Sequence, residues 1–297
     1  MGEQDIATVS DLIAAATTAD EHRPLGEHKW LDLVHGGRKG MVGLVAREPG
    51  HAHAVGYAQI SKGSSSWGIE LVIHPHHRDG SMGMHRQLLA AALDEIAVAG
   101  GGHVHLWLPK PTEQDDAAAV ACGLSPGREL LQLRRPLPLA GRREPLNLRA
   151  FEVGKDEQDW LELNNAAFAW HPEQGGWDID TFRAREAEEW FDPAGFLLWE
   201  KEERLIGFCW TKVHTESEPA LGEIYVVAVD PSQQGTGAGR RLVEAGLDYL
   251  AKKGLTEAML YVDADNHRAR RLYADLGFVL DHIDRAYVGD VPPQTPL

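Results

Sequence analysis

The sequence predicts an α/β protein built from two tandem copies of one unit, each a mixed central sheet flanked by helices. Three observations predict it. The run Ile224-Tyr225-Val226-Val227-Ala228-Val229-Asp230-Pro231 is strand-like and leads at once into Gln234-Gly235-Thr236-Gly237-Ala238-Gly239-Arg240, a glycine-rich helix start. Beyond it the apolar pattern switches between the helical and the strand period. The first half of the chain also repeats, in worn form, the landmarks of the second.

In the second half the elements follow in order. Residues 224–229 form a short apolar run closed by Asp230-Pro231, which reads as a buried strand. The three glycines after it allow close backbone approach, and amides at a helix start point at an anion with the helix dipole behind them. A phosphate-bearing ligand is expected there. Leu242, Val243, Leu247 and Leu250 fall at helical spacing, and Lys252-Lys253-Gly254 suits the helix end, with cations against the negative dipole and Gly at the left-handed position. Residues 257–262 then read as a strand, Asn266 as an N-cap, 268–276 as a helix stopped by Gly277, and 278–283 as a further strand.

Spacing narrows the phosphate ligand. A dinucleotide G-x-G-x-x-G would put its third glycine on Arg240, and the triphosphate loop G-x-x-x-x-G-K-[ST] does not occur in the chain. Gln234, Gly237 and Gly239 match Q/R-x-x-G-x-G/A instead. With its order of strand, phosphate helix, strand, helix and strand, the second half resembles the GNAT N-acetyltransferase superfamily. The resemblance implies acetyl-CoA as cosubstrate, with Asn266 contacting CoA and Tyr273 near the thioester sulfur.

The repeat sets the domain plan. Gly56-Tyr57-Ala58-Gln59-Ile60 answers Gly207-Phe208-Cys209-Trp210-Thr211, Leu71-Val72-Ile73-His74-Pro75 answers Val227-Ala228-Val229-Asp230-Pro231, and Cys122-Gly123-Leu124 answers Leu276-Gly277-Phe278. A Pro- and Arg-rich stretch over 134–145 is the expected linker, because prolines stop helices and central strands. The plan is a degenerate N-terminal GNAT-like domain over 1–140 and a catalytic C-terminal GNAT domain over 148–297. Laid over the glycine motif, the first copy reads Arg78-Asp79-Gly80-Ser81-Met82-Gly83, with Ser81 in place of Gly237 and Met82 in place of Ala238. Thr112 stands opposite Asn266 and Ala119 opposite Tyr273. Catalysis is therefore expected in the second copy. The first either buttresses the substrate pocket or holds a CoA non-productively, with Leu71, Val72 and Ile73 as its contacts.

Composition excludes several classes. The 297 residues are 43% hydrophobic and 25% charged, a normal globular balance. No apolar run approaches the roughly 20 residues of a membrane span, and the N-terminus lacks the blocks of a signal peptide, so a cytoplasmic protein is expected. A net charge of −16 argues against nucleic acid. Cys122 and Cys209 stand isolated and read as buried reduced thiols. His51/His53 and His103/His105 alternate as they would on one strand face, and His74, His76 and His77 cluster. No Cys or carboxylate accompanies them at a finger-like or H-E-x-x-H spacing, so no metal is expected. Trp170, Trp177 and Trp210 are candidate pocket walls.

A closer resemblance rests on Asn164-Asn165-Ala166-Ala167-Phe168, His171-Pro172-Glu173-Gln174-Gly175-Gly176-Trp177, Trp190-Phe191-Asp192-Pro193 and Gly207-Phe208-Cys209-Trp210-Thr211-Lys212-Val213-His214. Over 148–289 the chain is similar to the mycothiol synthase family. That resemblance implies acetylation of the cysteine amine of cysteinyl-glucosaminyl-inositol. It implies that Val227, Ala228, Val229, Gln234, Gly235, Thr236, Gly237, Ala238, Gly239 and Arg240 hold acetyl-CoA, completed by Asn266, His267, Arg268, Ala269, Arg270 and Arg271. Implied substrate contacts are Glu27, Glu173, Lys212, Glu223 and Tyr261. Glu27 lies in the first copy, so the implied pocket draws on both.

The chemistry follows from residue types. An α-amine has a pKa of about 8, so one modest base suffices near neutral pH. Glu223 is the candidate, acting through water, with substrate anchoring as the alternative. A backbone amide near Val229 would polarise the thioester carbonyl. Tyr273 would protonate the departing thiolate. A monomer acting on a small thiol-sugar, with no nucleic-acid or membrane partner, completes the expectation.

Overall fold

The computed structural model describes residues 3–20, 24–34, 41–51, 53–63, 66–78, 83–141, 146–170, 174–215 and 217–294. Along the chain run α1 (Glu3–Asp20), α2 (Glu27–Val34), β1 (Met41–Ala46), β2 (Gly56–Lys62), β3 (Trp67–Ile73), α3 (Gly83–Val98), β4 (Gly102–Pro109), α4 (Glu113–Ala121) and β5 (Ser125–Pro136). They are followed by β6 (Leu148–Ala150), α5 (Glu157–Ala167), α6 (Ile179–Glu186), β7 (Phe196–Lys201), β8 (Arg204–His214), β9 (Leu221–Val229), α7 (Ala238–Lys252), β10 (Glu257–Asp263), α8 (His267–Asp275) and β11 (Val279–Val291). The chain divides into two compact units. Unit 1 holds Met1–Leu131, Asp263–Asp265 and His282–Leu297, and unit 2 holds Gln132–Val262 and Asn266–Asp281.

In unit 1, β1 pairs antiparallel with β2 and β2 with β3, while β3 runs parallel to β4 and β4 antiparallel to β11. Successive strand residues serve opposite faces. Tyr57 and Val72 pack with Val9, Leu12, Ile13 and Leu33. Their neighbours Ala58, Leu71 and Ile73 pack the other way, with Leu88, Leu89 and Ile96 of α3. Helices cover both faces, which is why β2 is buried from Gly56 to Ile60 and β3 along its whole length.

Unit 2 repeats the pairing: β7 is antiparallel to β8, β8 is antiparallel to β9, and β9 is parallel to β10. One face of its sheet packs an aromatic cluster of Phe151, Trp160, Phe182, Phe196, Phe208 and Trp210, with Phe196 stacked on Trp210 at 4.4 Å. α7 lies on the other face and buries Leu242, Val243, Leu247 and Leu250. It lies so close that a Cβ on Gly246 would sit 2.6 Å from Cys209 Sγ and 2.7 Å from Ile224 Cδ1. That approach keeps the strand–helix–strand corner compact.

The repeat extends to the caps. Thr112 accepts from the Asp115 amide at the start of α4, and Asn266 accepts from the Ala269 amide at the start of α8. Gly123 (φ +83°) and Gly277 (φ +82°) follow the two helices in the same left-handed conformation. The turns after β3 and β9 match as well, since the His74 amide donates to Val55 O and the Asp230 amide to Ile206 O, each at 2.9 Å.

Several expectations change. The linker expected from residue 134 begins later, because β5 runs on to Pro136. Arg134 reaches Glu257 and Asp281, and buried Arg135 donates to Leu276 O at the end of α8, so these arginines serve the sheet rather than a connection. Pro136, as the last residue, costs the strand no interior hydrogen bond. The final strand is longer than 278–283. His51 and His53 lie in the β1–β2 connection, not on a strand. Asp79, Gly80, Ser81 and Met82 lie outside the described residues. Both cysteines are free, Cys209 buried and Cys122 half-buried. No helix among the described residues is long and apolar enough to cross a membrane.

Candidate active site

The glycine turn expected to hold phosphate is built at the end of β9. Asp230 closes a short 3-10 turn by accepting from the Ser232 amide at 2.8 Å, and the chain leaves it extended at Gln234. Gly235 (φ +83°) and Gly237 (φ +82°) then adopt the left-handed conformation. Gly237 is the N-cap of α7, and among the described residues no side chain caps that helix. A Cβ on Gly235, Gly237 or Gly239 would meet no atom of the described residues within 4 Å. The open space, the helix start left without a side-chain cap and the lack of a carboxylate in the first turn fit a phosphate group. Thr236 Oγ1 is turned inward and donates to Gln233 O at 2.7 Å. Arg268 donates to Gln234 Oε1 at 3.1 Å, tying the cradle to the start of α8. Arg240 pairs with Glu244 at 3.1 Å, and Ala238 is buried.

β9 itself has two features of note. Trp210 faces Val226 across the β8 pairing while Thr211 faces Ile224, so Tyr225 is an extra residue, a bulge that reverses the alternation of faces. On its other edge β9 pairs with β10 at Gly222↔Ala258 and Glu223↔Met259, and the pairing goes no further. The edge from Ile224 through Val227, Ala228 and Val229 is thereby left without β10, as expected for backbone donors that polarise a carbonyl.

Glu223, at the last paired position, is 7% exposed, and its Oε2 lies 2.8 Å from His214 Nε2. Register places Lys212 directly across from Glu223, and His214 two residues on shares the face. The Lys212 ammonium sits 4.3 Å from the Trp190 ring centroid and 5.7 Å from that of Tyr225. Tyr261, two residues beyond Met259 and on the same face, is 38% exposed, and its hydroxyl accepts from Gln132 Nε2 at 2.7 Å. Gln132 in turn accepts from Arg134 at 2.8 Å. Lys212, His214, Glu223 and Tyr261 thus share one face of the unit 2 sheet.

On α8, Asn266 Oδ1 is committed to the Ala269 amide at 3.1 Å, while His267, Arg268, Arg270 and Arg271 make its first turns basic. Tyr273 is buried, edge-on to Phe278 at 5.8 Å. Burial pushes its hydroxyl pKa well up, with the nearby Cys209 adding to the effect, so the proton stays on. Burial likewise pushes the Cys209 thiol up to about 12, which makes it inert.

The remaining expected residues stand apart. Leu71, Val72 and Ile73 of β3 are 8%, 2% and 3% exposed and committed to the two cores of unit 1. Glu27 is the first residue of α2, and its side chain lies outside the description, as does Glu173 altogether. Trp210 belongs to the core, and Trp170 is 64% exposed. Trp177 packs edge-on to Trp160 at 5.7 Å. His214, Gln132, Trp190 and Tyr225 are site neighbours that sequence reasoning did not single out. The alternation of Lys212 and His214 along one strand was the available signal.

Relatives give the class. The profile of the acetyltransferase (GNAT) family matches residues 158–278. A GCN5-related N-acetyltransferase from Sphaerobacter thermophilus superposes with a TM-score of 0.75 at 21% identity, over 100% of this chain and 96% of that one. A tandem GNAT protein from the clavulanic acid biosynthesis pathway gives 0.70 at 17% identity, over 99% and 97%. The fold is the tandem GNAT fold and the class is GNAT acetyltransferase. In sequence, the mycothiol acetyltransferase of Acidimicrobium ferrooxidans is 43% identical over 289 residues, 95% of this chain and 93% of that one, and that of Thermobispora bispora is 43% identical over 293 residues, 96% of each. This chain belongs to the mycothiol acetyltransferase family.

Proposed function

We propose that the protein transfers the acetyl group of acetyl-CoA to the cysteine amine of cysteinyl-glucosaminyl-inositol, forming mycothiol. The supporting observation is the course of β9. One strand carries a buried carboxylate held by a histidine, then a bulge, then an edge free of β10, then the glycine cradle. An acyl acceptor, an acyl carbonyl and a pyrophosphate can be held in that order along it.

Bound acetyl-CoA supplies an activated acyl group and a thiol leaving group. The Gly235, Gly237 and Gly239 amides hold the pyrophosphate, with Gln234, Thr236, Ala238 and Arg240 shaping the turn and Asn266, His267, Arg268, Ala269, Arg270 and Arg271 presenting α8 to the cofactor. Val227, Ala228 and Val229 align the acyl arm, and a β9 amide near Val229 donates to the carbonyl oxygen. Glu223 accepts the ammonium proton through water, and His214 fixes the carboxylate in the orientation this needs. In place of the expected proton transfer, Tyr273 donates a hydrogen bond to the leaving sulfur and keeps its own proton, which it holds more tightly than a thiol of pKa about 8.5; the second proton shed by the nitrogen as the amide forms goes to the departing thiolate. Glu27, Glu173, Lys212 and Tyr261 contact the hydroxyls of the thiol-sugar. Lys212 is suited to this because two aromatic rings orient it.

In this reading the copies run over 1–140 and 148–297, the first copy is structural, and the enzyme acts as a cytoplasmic monomer with no metal in the transfer step. The test is acetyl transfer to cysteinyl-glucosaminyl-inositol, followed by CoA release and product mass, with free cysteine as the comparison amine. Selective formation of the N-acetylated thiol-sugar is expected. Acetyl-CoA binding without that product would overturn the substrate assignment.

A further inference from the structure

The turn after β3 and the connection between β1 and β2 bring histidines of unit 1 into one cluster. Ring centroids lie 4.6 Å apart for His53 and His74, 5.0 Å for His51 and His77, and 5.6 Å for both His53–His77 and His74–His77. One ring nitrogen from each of His53, His74 and His77 lies within 4.8 Å of the other two, and Glu48, His51 and His77 form a second such triple. His53 Nε2 is buried without a hydrogen-bond partner among the described residues. Leaving a buried nitrogen unpaired is costly, and a ligand to it removes that cost.

The fold does not require histidines here. His53 stands three residues before Gly56 as Arg204 stands three before Gly207, and His74 takes the place of Asp230 after the matching strand. The backbone is the same at both corners, with the His74 and Asp230 amides bonded to Val55 O and Ile206 O. In unit 2 the side chains close the corner with an Arg204–Asp230 ion pair. In unit 1 two imidazoles face each other instead, joined by His77 and His51. Arg78, the cation next in sequence, is neutralised by Asp20, which it grips with both guanidinium nitrogens.

We propose that this corner binds one divalent transition-metal ion, zinc, through His53, His74 and His77, with His51 or water as the fourth ligand. Neutral imidazole suits zinc and its neighbours, and four-coordinate zinc takes nitrogens at about 2.0–2.1 Å. Tetrahedral geometry then needs the nitrogens roughly 3.4 Å apart, which small side-chain rotations supply from the observed spacing. His77 Nδ1 faces Glu48 Oε2 at 3.6 Å, the carboxylate–histidine arrangement that orients a metal ligand and leaves Nε2 for the ion. His51 Nδ1 faces the same oxygen at 3.5 Å. The bond that His74 Nδ1 accepts from the His76 amide is long, 3.3 Å, and gives way on ligation. The ion would clamp the β1–β2 connection to the end of β3, doing in unit 1 what the ion pair does in unit 2.

The experiment uses the untagged full chain stripped of metal, titrated with zinc against a chromophoric chelator and separately with cobalt(II). One equivalent of zinc, visible ligand-field bands with cobalt and a rise in Tm with zinc are expected. Glu48→Gln should weaken binding by about 10- to 100-fold. Histidine-to-alanine changes risk unfolding the corner, so the decisive variant is His53→Arg with His74→Asp, which installs the ion pair of unit 2. That double variant should fold, by circular dichroism, and bind no zinc. His103→Ala, outside the cluster, should bind as the parent does. Lack of stoichiometric binding by the parent chain, or undiminished binding by the double variant, would overturn the proposal.

Discussion

At the scale of single residues, the site turns on a carboxylate and a hydroxyl with different burdens. In the proposed reaction Glu223 removes a proton that the amine itself loses at a pKa of about 8, so its loss would be repairable by pH. Glu223→Ala is expected to lower kcat about 100-fold near pH 7, with part of the rate recovered at pH 9. A deficit that stays constant with pH would make Glu223 an anchor. His214, 2.8 Å away, positions that carboxylate. His214→Ala should lower kcat about tenfold and leave the KM for acetyl-CoA unchanged, and an unaltered kcat would remove it from the mechanism. In the same proposal Tyr273 has the lighter task, because a buried hydroxyl whose pKa is driven upward would lend a hydrogen bond to a sulfur that leaves readily by itself. Tyr273→Phe is expected to cost about tenfold or less in kcat.

At the scale of elements, the start of α7 separates backbone conformation from ligand space. Gly237 has φ +82° and Gly239 has no such constraint, yet a Cβ on either meets open space. Gly237→Ala should therefore destabilise the protein by about 1–2 kcal/mol, the left-handed penalty. Gly239→Ala sits inside the helix and should stabilise it by about 0.5–1 kcal/mol. Both should raise the KM for acetyl-CoA, because the added methyl enters the open space where the pyrophosphate is proposed to sit. Thermal melts and initial rates check the pair, and an unchanged KM for Gly239→Ala would move the pyrophosphate elsewhere. Local features of this kind were legible beforehand: the glycine spacing, the Asn266 cap and the Gly277 stop are short-range chemistry. The end of β5 was not, because the burial of Arg135 against the end of α8 decides it.

At the scale of the whole molecule, unit 1 carries a buried carboxylate that couples stability to pH. Glu70 is 7% exposed, its Oε2 lacks a partner among the described residues, and Lys29 lies 3.3 Å away. Burial pushes its pKa up to about 7 from 4.5, against the opposing pull of Lys29. Between those values the folded chain keeps a proton that the unfolded chain releases, so stability falls as pH rises through the window. Glu70→Gln should remove that dependence, raising stability at pH 8 by an amount on the order of 1–3 kcal/mol and by little at pH 4. Urea titrations across this range measure it, and parallel curves for parent and variant would refute it.

The sequence by itself determined the tandem α/β plan, the glycine-rich helix start and the order of elements around it, because glycine spacing, caps and apolar periods act over a few residues. Tertiary structure decided what long-range pairing controls. The β8–β9 register brings His214 onto Glu223, the bulge at Tyr225 turns the face of the strand, and the β9–β10 pairing stops one residue past Gly222. The histidine cluster belongs to the same category, since no spacing along the chain announces that His53 and His77 meet. Contacts between residues far apart in sequence follow from how strands pair and loops close, and a one-residue shift in either would undo them.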